Sequence, residues 1–179
     1  MKTYGIDAVP FSHPKIDTWR ENFEGVEFKH EATGFTVSGA VDDIWVNPAG
    51  ELTVVDYKST SKPGSITKLG DSSWDAQYQR QMGVYQWLLR NNGFKVSSLG
   101  YLVYANAHDD KKAFDAKLEF EVTIVPCDGE ADWIDDILPR IKEVLESDMY
   151  PASGKACEYC AYREASGKKL LDIHNKHKK

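Results

Sequence analysis

No stretch of the 179-residue chain approaches the roughly 20 apolar residues that a membrane-crossing helix requires, and the N-terminal MKTYGIDAVPFSHP has no apolar signal core. The chain therefore reads as soluble and unexported, with no membrane partner. Cysteine is scarce: Cys127, Cys157 and Cys160 cannot all pair with one another, and a chain of this size needs no disulfide staples. They read as thiols or ligands in a reducing, cytoplasmic compartment. Positive charge is in deficit as well, with 22 basic against 28 acidic residues for a net charge of -6, whereas nucleic-acid binders usually show a basic face. No internal repeat or low-complexity tract breaks the chain, and 41% hydrophobic with 12% aromatic content excludes a disordered or fibrous protein. One domain around one core is the expectation.

The charge is unevenly spread. Arg163, Lys168, Lys169, Lys176, Lys178 and Lys179 face only Glu164 and Asp172 in the last stretch, a local +4 that leaves -10 on the rest. Residues 164–179 form a basic C-terminal tail, either a solvated terminus or a phosphate-contacting one.

Along the chain, Ile16, Trp19 and Phe23 have the spacing of a short helix with Pro14 near its start. From Gly25 the pattern changes to period two, through GVEFKHE, GFTVSGAVDDIWV and ELTVVDYKST, with turn residues between them. This predicts a three-stranded antiparallel meander. A flexible polar segment, SKPGSITKLGDSS, leads into a helix over 74–92 that ends at Asn92-Gly93. Strands are expected over 98–105 and 117–126, then a helix over 131–147. The order makes an α/β domain with a mixed central β-sheet and flanking helices.

Period two in Leu52 to Thr60 puts Asp56 and Lys58 on one face with Leu52 and Val54, and Val55 and Tyr57 on the other. A hairpin turning around Pro48-Ala49 pairs residues whose numbers sum to about 98, which sets Asp42 against Asp56. Two carboxylates side by side on adjacent strands repel, so a cation between them is the natural explanation. Carboxylate oxygens select a hard ion such as Mg²⁺ or Mn²⁺. Asp42 turned to solvent, or Asp56 merely paired with Lys58, is the alternative. On the following helix Trp74, Tyr78, Met82, Tyr85 and Leu88 form an apolar stripe with Gln81 inside it. A buried glutamine needs hydrogen-bond partners, whether backbone or ligand.

Gly39-Ala40-Val41-Asp42, then Asp56-Tyr57-Lys58, then Gln81-Met82-Gly83-Val84-Tyr85 resemble the G-x-x-D, D-x-K and Q-x-x-x-Y series of the PD-(D/E)XK nucleases. The RecB-like branch, which includes the CRISPR-associated prespacer-processing nucleases, is the nearest in pattern. The resemblance spans about Gly25 to Arg163 and implies a restriction-endonuclease-like core, with residues 1–163 as the nuclease-like domain. It further implies that Asp42, Asp56 and the backbone carbonyl of Tyr57 hold Mg²⁺ or Mn²⁺, and that Lys58 orients or deprotonates water and steadies charge on the phosphate. Gln81 and Tyr85 would contact substrate. The implied activity is metal-dependent hydrolysis of phosphodiester bonds in DNA, exo- or endonucleolytic, with single-stranded or branched ends as the expected substrate. The alternative is a catalytically silent nuclease-fold module that binds nucleic acid or a partner protein.

Two departures from the pattern bear on this. RecB-like nucleases carry a first-motif acid or histidine on a helix upstream of the sheet; here Glu21, Glu24, His30 and Glu31 stand in no recognisable motif. A natural truncation, or an upstream segment supplied from elsewhere, is one expectation. Cys157-x-x-Cys160 resembles the C-terminal cysteine segment with which relatives hold an iron–sulfur cluster, but the further cysteines are not here. Together with His174 and His177 it approximates a zinc site, with histidine spacing shorter than usual. Neither cofactor is favoured over an unmetallated pair.

Overall fold

The computed structural model describes residues 1–110, 112, 113 and 115–177. Seven strands and four helices follow in the order β1 (Val9–Pro10), α1 (Ile16–Arg20), β2 (Val26–His30), β3 (Phe35–Gly39), β4 (Asp43–Val46), β5 (Leu52–Thr60), α2 (Ser73–Asn91), β6 (Leu99–Ala107), β7 (Phe120–Asp128), α3 (Trp133–Glu146) and α4 (Glu158–His177). The strands form a five-stranded sheet, β1-β4-β5-β6-β7, and a separate β2-β3 pair. All neighbours in the large sheet are antiparallel except β5 and β6. The mixed sheet and flanking helices expected from the alternation are present, and the β4–β5 register, Asp43↔Val55 through Val46↔Leu52, keeps the predicted sum.

The meander is interrupted. GFTVSGAVDDIWV is not one strand but β3 and β4, which lie in different sheets and are separated by a bend at Ala40–Asp42. Val41 is buried in the core there, and its backbone N–H donates to Trp19 O at 3.0 Å. A long-range bond to α1 thus replaces the ladder partner that a continuous strand would have used. The expected N-terminal helix contracts to Ile16–Arg20, and the strand expected from residue 117 begins at Phe120.

A capping box starts α2: Ser72 Oγ accepts from the Asp75 backbone N–H at 3.2 Å, and Asp75 Oδ2 accepts from the Ser72 backbone N–H at 3.2 Å. Gly93, at φ +87°, follows its C-cap. The buried face of α2 carries Met82, Tyr85, Leu88 and Leu89 in one core with Val54, Leu102, Tyr104 and Val125 of the sheet. At about 25 cal/mol per Å² of apolar surface, this burial is the main force holding α2 to the sheet. Gly83 lets α2 lie close against the segment after β7: a Cβ there would stand 2.2 Å from the Glu130 carbonyl oxygen. The segment before α2 is pinned at its start by buried Asn106, whose Nδ2 donates to Lys62 O and Gly64 O, both at 3.0 Å. Its Oδ1 accepts from the Lys62 backbone N–H at 2.8 Å.

The chain divides into two compact units, Met1–Pro139 and Arg140–Lys179. Pro139 lies inside α3, where it removes one helical hydrogen bond. The second unit contains α4, a 20-residue helix with no buried residue, where a basic tail was expected from residue 164. No described helix is long and apolar enough to cross a membrane.

Candidate active site

The site is built where β5 leaves the shelter of β4. Beyond Asp43 the chain bends away toward β3, so the Tyr57 backbone N–H loses its ladder acceptor. Asp42 Oδ2 takes that place, accepting from Tyr57 N at 2.8 Å. Asp42, an exposed residue one step beyond the last paired residue Asp43, is thereby held close enough to Asp56 for its charge to raise that acid's pKa.

Asp56 is 3% exposed. Lys58 Nζ lies 2.5 Å from its Oδ2 as a close ion pair, and among the described residues this buried oxygen has no further polar partner. Burial raises the Asp56 pKa, Lys58 opposes the rise, and the Asp42 carboxylate adds to it; the net direction is up. The ammonium therefore does not compensate fully for desolvation.

From Lys58 a polar chain runs onto α2. Lys58 Nζ donates to Gln81 Oε1 at 3.1 Å, Gln81 Nε2 donates to the Tyr85 hydroxyl at 2.9 Å, and the Tyr78 ring lies under the ammonium at 4.6 Å. Tyr78, Gln81 and Tyr85 face one way because residues three, four and seven apart share a helix face. Burial raises the Tyr85 pKa, the Gln81 bond lowers it, and Asp56 and Asp42 raise it further, for a net rise. Its hydroxyl keeps its proton and stays a donor. The structure thus brings Asp56, Lys58, Gln81 and Tyr85 together, with Asp42 held beside them on the Tyr57 backbone N–H.

Three features are not foreshadowed by the sequence. Trp74 is 65% exposed rather than part of the apolar stripe, because it sits in the first turn of α2. Gln86, not Gln81, is the core amide: it is fully buried, donates to Ser98 O at 2.9 Å and accepts from Arg90 Nη2 at 3.4 Å. Asp43, 8% exposed, accepts from Arg20 Nη2 (2.6 Å), the Ile44 backbone N–H (2.9 Å), Trp45 Nε1 (3.1 Å) and the Tyr57 hydroxyl (2.9 Å). The doubled Asp42-Asp43 at a strand start was the available signal, since period two sends the two side chains to opposite faces. Burial, reinforced by Asp43, pushes the Tyr57 pKa up to about 12.

The remaining candidates lie elsewhere. Glu21, Glu24 and Glu31 are exposed, and His30 Nδ1 is 2.8 Å from Thr33 Oγ1. Cys157 sits at the start of α4, its sulfur accepting from the Cys160 backbone N–H at 3.4 Å. Hydrogen bonding from the Cys160 side chain and then its backbone lowers the Cys157 thiol pKa. Among the described residues no three His, Cys, Asp or Glu side chains converge as a metal cage, so a zinc or cluster site at Cys157 and Cys160 lacks its further ligands. Asp42 and Asp56 are a different case. Mg²⁺ is commonly held by one or two carboxylates with substrate oxygens and water completing the shell, and a buried carboxylate whose desolvation the lysine does not fully offset fits that chemistry.

Residues 8–165 match the family model of the PD-(D/E)XK nuclease superfamily. No curated protein and no solved structure gives a significant match.

Proposed function

Because the chain belongs to the PD-(D/E)XK nuclease superfamily, we propose that it hydrolyses phosphodiester bonds in DNA with the help of Mg²⁺ or Mn²⁺. Asp42, Asp56 and the Tyr57 backbone carbonyl are the residues to hold the ion. Bound there, it supplies Lewis acidity toward a phosphodiester oxygen. The observation that carries the reading is Asp56, buried near a second carboxylate, with Lys58 as the one partner of its Oδ2 among the described residues and a pKa raised in spite of it.

The protein's own groups divide the remaining work. An ammonium has three donors; Lys58 gives one to Gln81 and faces Asp56 with its charge, which leaves an N–H to orient water or steady charge on the phosphate. Gln81 fixes that ammonium from the helix side. The Tyr85 hydroxyl accepts from Gln81 and so has its own proton free for a substrate oxygen. The RecB-like assignment and the preference for single-stranded or branched ends belong to the same proposal and rest on the order of the three motifs.

The test is cleavage of single-stranded, duplex and flapped DNA, and of RNA, with Mg²⁺ or Mn²⁺, by the wild-type and Lys58→Ala proteins. Wild type should cut DNA, with the variant slower by about 10²–10³-fold. Equal cleavage by both, or cleavage of RNA alone, would overturn the assignment. Binding of DNA by wild type without any cleavage would identify a silent nuclease-fold module instead.

A further inference from the structure

Asp43 follows the proposed metal ligand Asp42, points to the opposite face of the sheet, and is saturated with donors. Two come from its own strand, the Ile44 N–H and Trp45 Nε1; one comes from α1, Arg20 Nη2; one comes from the next strand, the Tyr57 hydroxyl. The last of these has a geometric consequence. Tyr57 is gripped by two successive aspartates, its hydroxyl by Asp43 at 2.9 Å and its backbone N–H by Asp42 at 2.8 Å. Its neighbours in sequence are Asp56 and Lys58.

Gripping is needed at this point because the ladder has stopped. Val55 is the last β5 residue paired with β4, at Asp43; from Asp56 to Thr60 the strand pairs only with β6 on its other side. A strand held along one edge twists and frays more readily than one held along both. The ring of Tyr57 does little to prevent this, since the residue is 51% exposed. The hydroxyl bond to a buried, Arg20-paired carboxylate is what ties it down.

We propose that Asp43 is a positioning residue: through the Tyr57 hydroxyl it clamps the unpaired edge of β5, so that the Tyr57 backbone keeps Asp42 and Asp56 in register for the cation. The inference rests on the metal-site reading above. It assigns to Asp43 no contact with metal or substrate. Partners one step removed from a metal commonly tune affinity by about 10–100-fold, and a single hydroxyl should stand at the low end of that range.

Tyr57→Phe is the variant that tests it, because it removes one oxygen and leaves the ring and the other three donors to Asp43. Two measurements are made on the folded protein. The first, without metal, is hydrogen exchange of the backbone amide at position 57, which should quicken about tenfold while the Val55 and Ser59 amides keep their wild-type rates. The second is Mn²⁺ titration followed by calorimetry, which should show affinity weaker by about tenfold, with the melting temperature nearly unchanged. Unaltered exchange at position 57, or unaltered Mn²⁺ affinity alongside faster exchange, would overturn the proposal and leave Asp43 a support of the fold. Asp42→Asn and Asp56→Asn separate that failure from failure of the metal-site reading. If both bind Mn²⁺ as tightly as wild type, or wild type binds none, the metal-site reading itself falls and the positioning role falls with it.

Discussion

Asp43 and Asp56 are both buried carboxylates on the same strand pair, but they face opposite sides of the sheet and live in opposite circumstances. Asp43 accepts four hydrogen bonds, one from a guanidinium. Asp56 has one buried oxygen whose one partner among the described residues is Lys58, and a raised pKa in spite of it. Burial alone does not mark a functional acid; what marks it is burial that the protein leaves uncompensated. The face toward Arg20 is saturated with donors, whereas on the face toward α2 the Lys58 ammonium leaves the desolvation of Asp56 incompletely offset.

The largest expected effect follows from removing the satisfied acid. Asp43→Ala strands the Ile44 amide and the Trp45 indole N–H, while Arg20, partly exposed, recovers water. A loss of about 3–4 kcal/mol is expected in urea unfolding. Asp56→Asn, without metal, should change stability by less than about 1 kcal/mol, since the fold already disfavours the ionised form. Equal losses would erase the distinction between the two acids.

The two glutamines of α2 repeat the contrast on a smaller scale. Gln86→Ala removes a core amide and opens a cavity, for about 2–3 kcal/mol. Gln81→Ala forfeits about 1 kcal/mol of net hydrogen bonding but should weaken DNA binding or cleavage, measured by electrophoretic shift and by cutting. A Gln81→Ala protein that melts easily yet binds and cuts normally would make Gln81 the core amide.

The smallest effect is a pH slope. The folded-state pKa of Asp56 is raised above its ordinary 3.8, so its contribution to stability is fully present below that value and is lost as pH climbs toward the raised one. The slope cannot exceed about 1.4 kcal/mol per pH unit for one proton. Metal-free wild type should therefore lose stability relative to Asp56→Asn across this window, and Mn²⁺ should reverse the loss. A difference that grows with pH in favour of wild type would mean that Lys58 stabilises the ionised acid after all.

Much of this site is legible in the amino-acid sequence. The hairpin register follows from two alternating runs and a turn at Pro48-Ala49, and it carries the pairing up to Asp43↔Val55, one residue short of Asp42 and Asp56. The helix bearing Gln81 and Tyr85 announces itself by periodicity and by Asn92-Gly93. The illegible part depends on contacts remote in sequence. The bend at Val41 is held by Trp19 O, and nothing in the alternation of GFTVSGAVDDIWV encodes it. Gln86 is buried because α2 is covered on more than the single stripe that a helical wheel draws, from Met82 and Gly83 round to Trp87 and Leu89. Helix α4 buries no residue, so Leu170, Leu171 and Ile173 leave no amphipathic signature.

Gly83 has no chemistry of its own, yet it sets how closely α2 lies against the segment after β7. Backbone meets backbone there, with the Glu130 carbonyl where a Cβ would have to go, and Gln81 and Tyr85 stand two residues to either side. Any side chain at 83 becomes a wedge between this turn of α2 and the Glu130 backbone, on the helix face opposite Gln81 and Tyr85. The Lys58–Gln81 bond, at 3.1 Å, tolerates only about half an ångström of retreat before it ceases to be one. A single methyl group at position 83 therefore displaces the turn that carries Gln81 while leaving every proposed catalytic residue in place.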